Sequence, residues 1–287
     1  MMVKKILVTG ASGLIGRVLT EHLSTNPNYD IYGIDRHTAL SIHYELENTT
    51  SSEEPKPLLS MKDRFFICDI NDKDKLARII QDNKINVIIH LAAVLIGSIE
   101  QYEHVNCHGT QILFDIATKQ DHVEMIIYAS SVRTVFGYLQ NEPYSLLAKN
   151  IKPQQSLKKI TINDQPNPSD DDPLSEAYSK SKIYGEALAR QYSSVDGNNV
   201  KFICARFGWI NTTNNITSPS HNWADKSLWC SYRDLCQFFD RVLENQLKLK
   251  NFQIYFVSSN NDFCWVDMEN SREDLNYIPL DGAKWDS

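Results

Sequence analysis

Within its first sixteen residues the chain passes from a short run, Val3 to Val8, that ends in the apolar Ile6-Leu7-Val8, straight into Thr9-Gly10-Ala11-Ser12-Gly13-Leu14-Ile15-Gly16. That succession predicts a buried parallel strand, a glycine-rich turn and a helix, because strands covered on both faces read as near-continuous apolar stretches. Each glycine has its own task in such a turn. Gly10 permits the tight reversal, Gly13 lets backbone amides approach a pyrophosphate, and Gly16 lets the helix pack close to the strand while its dipole faces the anion. Leu14, Ile15, Val18, Leu19 and Leu23 then recur at helical spacing and bury one face.

A glycine pattern alone is weak, so its surroundings decide. The second apolar run, Ile31-Tyr32-Gly33-Ile34, leads at once to Asp35, twenty-five residues after Gly10. A carboxylate there accepts both hydroxyls of an adenosine ribose and repels a 2′-phosphate, which favours NAD over NADP; Arg36 beside it pulls the other way.

Further along, strands are predicted at 64–68, 87–90, 125–128, 200–205 and 254–257, alternating with helices through Leu76, Ile79 and Ile80, at about 100–119, at 174–192, at 232–247 and at 267–275. Such alternation means right-handed crossovers and an α/β fold, a Rossmann-type doubly wound parallel sheet. Two segments break the rhythm. Residues 37–60 are polar and proline-broken, and from Val132 to Pro173 no period survives, with five prolines between Pro143 and Pro173. The expected layout is one NAD(P)-binding Rossmann domain over 1–287, with a small substrate-binding portion from about 207 and insertions near 37–60 and 140–172. The second insertion should lie over the carboxyl edge of the sheet as a mobile or functional loop.

Charge narrows the function. The net charge of −7, without a polybasic run, points away from nucleic acid and anionic membranes. The six cysteines are scattered, without the close spacing of a zinc site, and three lie in or beside predicted strands, which suggests buried reduced thiols; no metal is expected. No leader pattern opens the chain and no apolar run reaches about eighteen residues, so a cytoplasmic protein is expected.

The chemistry is carried by Tyr178-Ser179-Lys180-Ser181-Lys182. Tyr178 and Lys182 stand four apart at the start of a predicted helix and project from one face. A free phenol, with a pKa of about 10, is a poor base at neutral pH. An ammonium one turn away stabilises the phenolate and lowers that value. His90, at the tip of an apolar strand, reads as a satisfied histidine supporting the backbone. Trp223, Trp229 and Trp265 read mainly as core.

Taken together these residues resemble the extended short-chain dehydrogenase/reductase superfamily, the NAD-dependent epimerase/dehydratase family. The resemblance adds Asp69-Ile70, His90-Leu91-Ala92-Ala93, Val105-Asn106 with Gly109-Thr110, Tyr128-Ala129-Ser130-Ser131 and Arg206-Phe207-Gly208. It implies that Gly10, Ser12, Gly13, Leu14, Ile15, Gly16, Asp35 and Arg36 hold NAD. Asp69 and Ile70 hold the adenine, Leu91, Ala92 and Ala93 line the cofactor, and Asn106 supports Lys182. It makes Tyr178, Lys182 and Ser131 catalytic, with Ser130, Ser131, Arg133 and Arg206 toward the substrate. Gly137 sits one residue later than the family's glycine, an offset that alternatively puts Val132 in the place of Ser131.

After Arg206 the segments 228–235, 255–258 and 275–279 look like the short uronate-dehydrogenase-like members, which oxidise the anomeric hydroxyl of a hexuronic acid. Those carry Asn-His where this chain has Val132-Arg133. Arg133 or Arg206 is left to clamp a carboxylate. The implied activity is NAD-dependent oxidation of a hydroxyl on a small sugar or sugar acid. The alternatives are epimerisation or dehydration of a nucleotide sugar with bound NAD, and a non-catalytic NAD(H)-sensing protein. Helices near 100–119 and 174–192 commonly form a homodimer contact in this family.

Overall fold

Apolar runs separated by helical repeats fold as parallel strands because each strand must be covered on both faces. The computed structural model describes residues 3–37, 63–169, 172–216 and 221–285. In it β1 (Lys4–Thr9) feeds α1 (Leu14–Leu23), and β2 (Tyr29–Asp35), β3 (Phe65–Ile67), α2 (Lys73–Asp82) and β4 (Val87–His90) follow. Next, α3 (Ile99–Gln101) passes through a π-helical segment, Tyr102–Gly109, into α4 (Thr110–Ala117). Then come β5 (Met125–Ser131), α5 (Ser145–Ala148), α6 (Pro173–Ser193), β6 (Lys201–Phe207), α7 (Trp223–Lys226), α8 (Tyr232–Asn245), β7 (Phe252–Val257) and α9 (Glu269–Leu275). Strand order is β3-β2-β1-β4-β5-β6-β7, and the pairs β1–β2, β1–β4, β2–β3 and β4–β5 are parallel. The order turns back between β1 and β4, and a doubly wound sheet takes its ligand at such a switch, beyond the carboxyl ends of the strands. Apart from His37, the insertion expected at 37–60 lies outside the described residues.

By its contacts the chain forms two compact units. The first takes 1–129, 184–204 and 250–253; the second takes 130–183, 205–249 and 254–287. The second unit thus draws on 130–183 as well as on the chain after Arg206.

In the first unit Ile6, Leu7 and Val8 are wholly buried, as are Val87, Ile88 and Ile89 beside them. Each such side chain contributes roughly 1.5–3 kcal/mol of burial. Phe114 is buried from α4 among Tyr128, Tyr192 and Phe202, with ring centroids 5.0–6.1 Å away. Gly185 meets Tyr128 so closely that a Cβ there would lie 2.2 Å from its hydroxyl oxygen.

In the second unit part of the stretch after β5, expected as a mobile or functional loop, is packed into an apolar cluster. A 3-10 helix, Val132–Gln140, precedes α5, and Val132, Val135, Tyr144, Leu147 and Ile160 are buried in one cluster with Trp223, Leu228, Phe256 and Trp265. Trp265 is wholly buried, with Phe136 5.8 Å and Tyr144 6.1 Å from it. Ile160 is bonded into place on both sides, its N–H donating to Trp265 O and its carbonyl accepting from Asp267 N, each at 2.8 Å. Tyr144, Leu147 and Ile160 of the insertion belong to the core, and they escaped notice because their spacings follow neither a period of 2 nor one of 3.6.

The chain after α9 is tied to α8. Asp234, wholly buried, accepts from Leu280 N (2.7 Å), Asp281 N (3.0 Å) and Ser259 Oγ (2.6 Å). No helix among the described residues is long and apolar enough to cross a membrane.

Candidate active site

The turn between β1 and α1 has the geometry its glycines predict. Gly10 has φ +68°, and a side chain there would strike Ala92 N at 2.8 Å, so the segment after β4 lies directly against the turn. At Gly16 a Cβ would stand 2.3 Å from Gly10 O. Gly13 caps α1 in an extended conformation and supplies no side-chain acceptor to the first helical N–H groups. A helix that begins this way leaves its first N–H groups without a side-chain acceptor, an arrangement suited to an anion at its positive end.

Asp35 is fixed at the same place. One carboxylate oxygen accepts from Ser12 N at 3.0 Å and the other from Arg36 N at 2.7 Å. Ser12 Oγ is engaged, donating to His37 O at 2.6 Å, and the Arg36 side chain is exposed. Leu14 and Ile15 in the first turn of α1, and Leu91, Ala92 and Ala93 after β4, are half-buried. Asp69 is exposed, and Ile70 packs on Gly109, where a Cβ would come within 2.5 Å of it. An open helix terminus, a turn without side-chain bulk and a carboxylate beside it fit the pyrophosphate and ribose of a dinucleotide.

His90 is structural. Its Nε2 lies 3.0 Å from Thr110 Oγ1, whose single proton goes to Asn106 O at 2.6 Å, so the ring donates there. Its Nδ1, 2.8 Å from Thr9 Oγ1, then accepts from that hydroxyl, and Thr9 Oγ1 in turn accepts from Ala92 N at 3.1 Å. The relay holds the segment after β4 against the glycine turn. The reading of His90 as a satisfied histidine agrees; its threonine partners were missed, although Thr9 and His90 stand opposite each other in the β1–β4 register.

The helix expected over 100–119 is interrupted by its π-helical turn, a feature that often marks functional positions. Asn106 lies in that turn, buried, with Oδ1 accepting from Val94 N (2.8 Å) and Nδ2 donating to Val94 O (3.0 Å). Those bonds fix the continuation of Leu91-Ala92-Ala93.

In the second unit Tyr178 and Lys182 lie one turn apart on α6, as predicted. Tyr178 is half-buried, Lys182 only 4% exposed, and the ammonium stands 5.7 Å from the centre of the phenol ring. A buried ammonium beside a phenol favours the phenolate. Ser130 is buried and Ser131 half-buried at the end of β5. Ser131 Oγ accepts from Arg133 N at 3.2 Å and so also caps the 3-10 helix. Val132, the alternative to Ser131, is buried in the apolar cluster, and Gly137 is needed where Asn167 and Pro168 pass within 2.7 Å of a would-be Cβ.

The two arginines part company. Arg133 is exposed, its guanidinium 4.3 Å from the centre of the Phe136 ring. Arg206 is 1% exposed and lies over Phe256 at 5.2 Å. Burial pushes the Cys68 thiol up to about 11 and that of Cys236 to about 12, so both are protonated at neutral pH.

Fold and glycine turn define a dinucleotide-binding α/β protein. Residues 6–211 match the NAD dependent epimerase/dehydratase family, and the chain belongs to it. It is 23% identical to the L-arabinose 1-dehydrogenase (NAD(P)(+)) of Haloferax volcanii, over 97% of both chains. It is 25% identical to the uronate dehydrogenase of Pseudomonas syringae pv. tomato, over 98% of this chain and 83% of the relative. Among solved structures, a variant of the Agrobacterium tumefaciens uronate dehydrogenase complexed with NAD superposes with a TM-score of 0.68. That match has 22% identity and covers 98% of this chain and 86% of that one; at such identity it speaks to the fold.

Proposed function

We propose that this chain is a dehydrogenase that oxidises a hydroxyl of a small sugar or sugar acid with NAD. When bound, the nicotinamide supplies the acceptor for the hydride. Tyr178 takes the hydroxyl proton as the carbon loses its hydride, leaving a carbonyl, or a lactone when the hydroxyl is anomeric. Ser131 donates to the same oxygen, and Lys182 keeps Tyr178 in its basic form. The observation that carries the reading is the buried Lys182 ammonium one turn from Tyr178, in a chain aligned end to end with a sugar 1-dehydrogenase. Incubation with NAD and a panel of aldoses and uronic acids should give stoichiometric NADH and lactone. NAD retained through purification, with a sugar nucleotide interconverted and no net NADH, would instead establish the epimerase reading that the family's name also covers.

In this reading Asp35 holds the adenosine ribose. Asp35→Asn keeps an acceptor for Ser12 N but removes the charge, so NAD affinity should fall about tenfold while NADP affinity rises. Titration of the protein with each dinucleotide checks both directions; unchanged affinities would remove Asp35 from the site. The reading includes a cytoplasmic protein and a homodimer, for which the exposed Ile99 on α3 and Tyr184 on α6 offer apolar surface.

A further inference from the structure

The second unit contains an open cavity of about 340 Å³ that has no task in the reaction as described. One side is formed by 156–159 of the insertion, the other by 259–268, which follow β7. None of Ser130, Ser131, Arg133, Tyr178, Lys182 and Arg206 lines it. The bonds of Ile160 to Trp265 and Asp267 tie the two sides together.

The floor is apolar and fixed. Leu157, Phe263, Cys264 and Met268 line the cavity while packing against the buried cluster around Trp265. Two polar residues of the lining are already engaged elsewhere. Asn261 donates to Trp229 O (2.7 Å) and accepts from Ala283 N (2.8 Å), and Ser259 Oγ donates to Asp234 (2.6 Å). Phe263 has φ +55°, a left-handed conformation that a bulky residue adopts at a cost. Its ring stands edge-on to the stacked pair Trp223 and Trp285, 6.5 and 5.3 Å away. Strain of this kind collects where a protein grips a ligand.

The rim is polar and open. Among the described residues the Ser156 hydroxyl, the Lys159 ammonium and the Asn260 amide form neither a hydrogen bond nor an ion pair. Lys159, the one charged residue of the lining, acts on Glu269 only at a distance, because that carboxylate is bound by Arg272 (2.9 Å). One cation above an apolar floor fits a ligand with one negative charge and an apolar body. A sugar would strand hydroxyls on that floor. At about 30 Å³ per water the space equals roughly eleven waters, which limits the ligand to about a dozen non-hydrogen atoms.

We propose that this cavity binds a small amphipathic monocarboxylate, its carboxylate on Lys159 and its apolar body against Leu157, Phe263 and Met268. The site does not depend on the sugar-oxidation reading, and no readout of its test requires turnover.

The probes are 3-phenylpropanoate and its neutral counterpart 3-phenylpropanol, titrated calorimetrically into the full chain. The acid should bind at one saturable site with a Kd of about 1 mM or tighter. The alcohol should bind about fivefold more weakly, the upper range for an exposed ion pair. Lys159→Met, which keeps the length and removes the charge, should weaken the acid about fivefold and leave the alcohol unchanged. Leu157→Trp, which fills the space, should abolish binding of both. Cys264 supplies a second readout that serves if the Leu157 variant does not fold. Cys264 and Cys107 are the half-buried cysteines; the acid should slow alkylation of Cys264 by N-ethylmaleimide, followed by mass spectrometry, and leave that of Cys107 unchanged. No saturable binding of the acid, equal affinity for acid and alcohol, or undiminished affinity in Lys159→Met overturns the proposal. So does binding that survives Leu157→Trp or leaves the rate at Cys264 untouched.

Discussion

Replacement of Tyr178 by phenylalanine is expected to lower kcat for sugar oxidation by about 10³- to 10⁴-fold, the upper range of what a positioned general base supplies. KM and NAD affinity should change little. The substitution removes one oxygen from a half-buried side chain on a helix of twenty-one residues, so α6 has no reason to unfold. The loss follows from charge. On the proposed reading the Lys182 ammonium, almost wholly buried and 5.7 Å from the centre of the phenol ring, stabilises the phenolate. Phenylalanine offers nothing to ionise, and no other group has been placed to take the proton. Steady-state NADH formation, with NAD titration as a binding control, decides the matter. Turnover within about tenfold of the unaltered protein would remove Tyr178 from the base role, since a general base contributes about 10²-fold or more.

The first half of the fold was open to sequence reading for a physical reason. A strand buried on both faces has no room for a polar residue, so Ile6-Leu7-Val8 and Val87-Ile88-Ile89 announce themselves, and a turn that must admit backbone to backbone leaves glycine at positions 10 and 16. Four-residue spacing on a helix likewise fixed the relation of Tyr178 to Lys182 before any coordinates. What stayed hidden lies where packing lacks a period. Tyr144, Leu147 and Ile160 reach one cluster from a 3-10 helix, a one-turn helix and extended chain, so no repeat marks them. The π-helical turn around Asn106 is invisible for another reason: the buried Asn106 side chain in it bonds to the backbone of Val94, twelve residues away, and no local spacing marks such a contact.

The second large effect is expected at Gly16. In Gly16→Ala the new Cβ would lie 2.3 Å from Gly10 O, 2.7 Å from Ala11 Cα and 2.9 Å from Ala11 C, all backbone atoms of the turn itself. No rotamer relieves such contacts, so the first turn of α1 has to move off β1. Overpacking of this kind costs typically about 1–3 kcal/mol. The larger consequence falls on binding, because the moved atoms carry the N–H groups that would face a pyrophosphate. A ligand at one hundred times its Kd stabilises its protein by about 2.7 kcal/mol; the unaltered protein should show that gain with NAD in thermal unfolding, and the variant none. Gly197→Ala provides the comparison. Gly197, unlike Gly16, has a positive φ, +82°, but nothing lies within 4 Å of a Cβ there, so the substitution brings backbone strain of roughly 1–2 kcal/mol without a collision. It should lower Tm and keep the NAD-dependent gain. If Gly16→Ala kept that gain as well, the turn after β1 would not be where the dinucleotide phosphates sit.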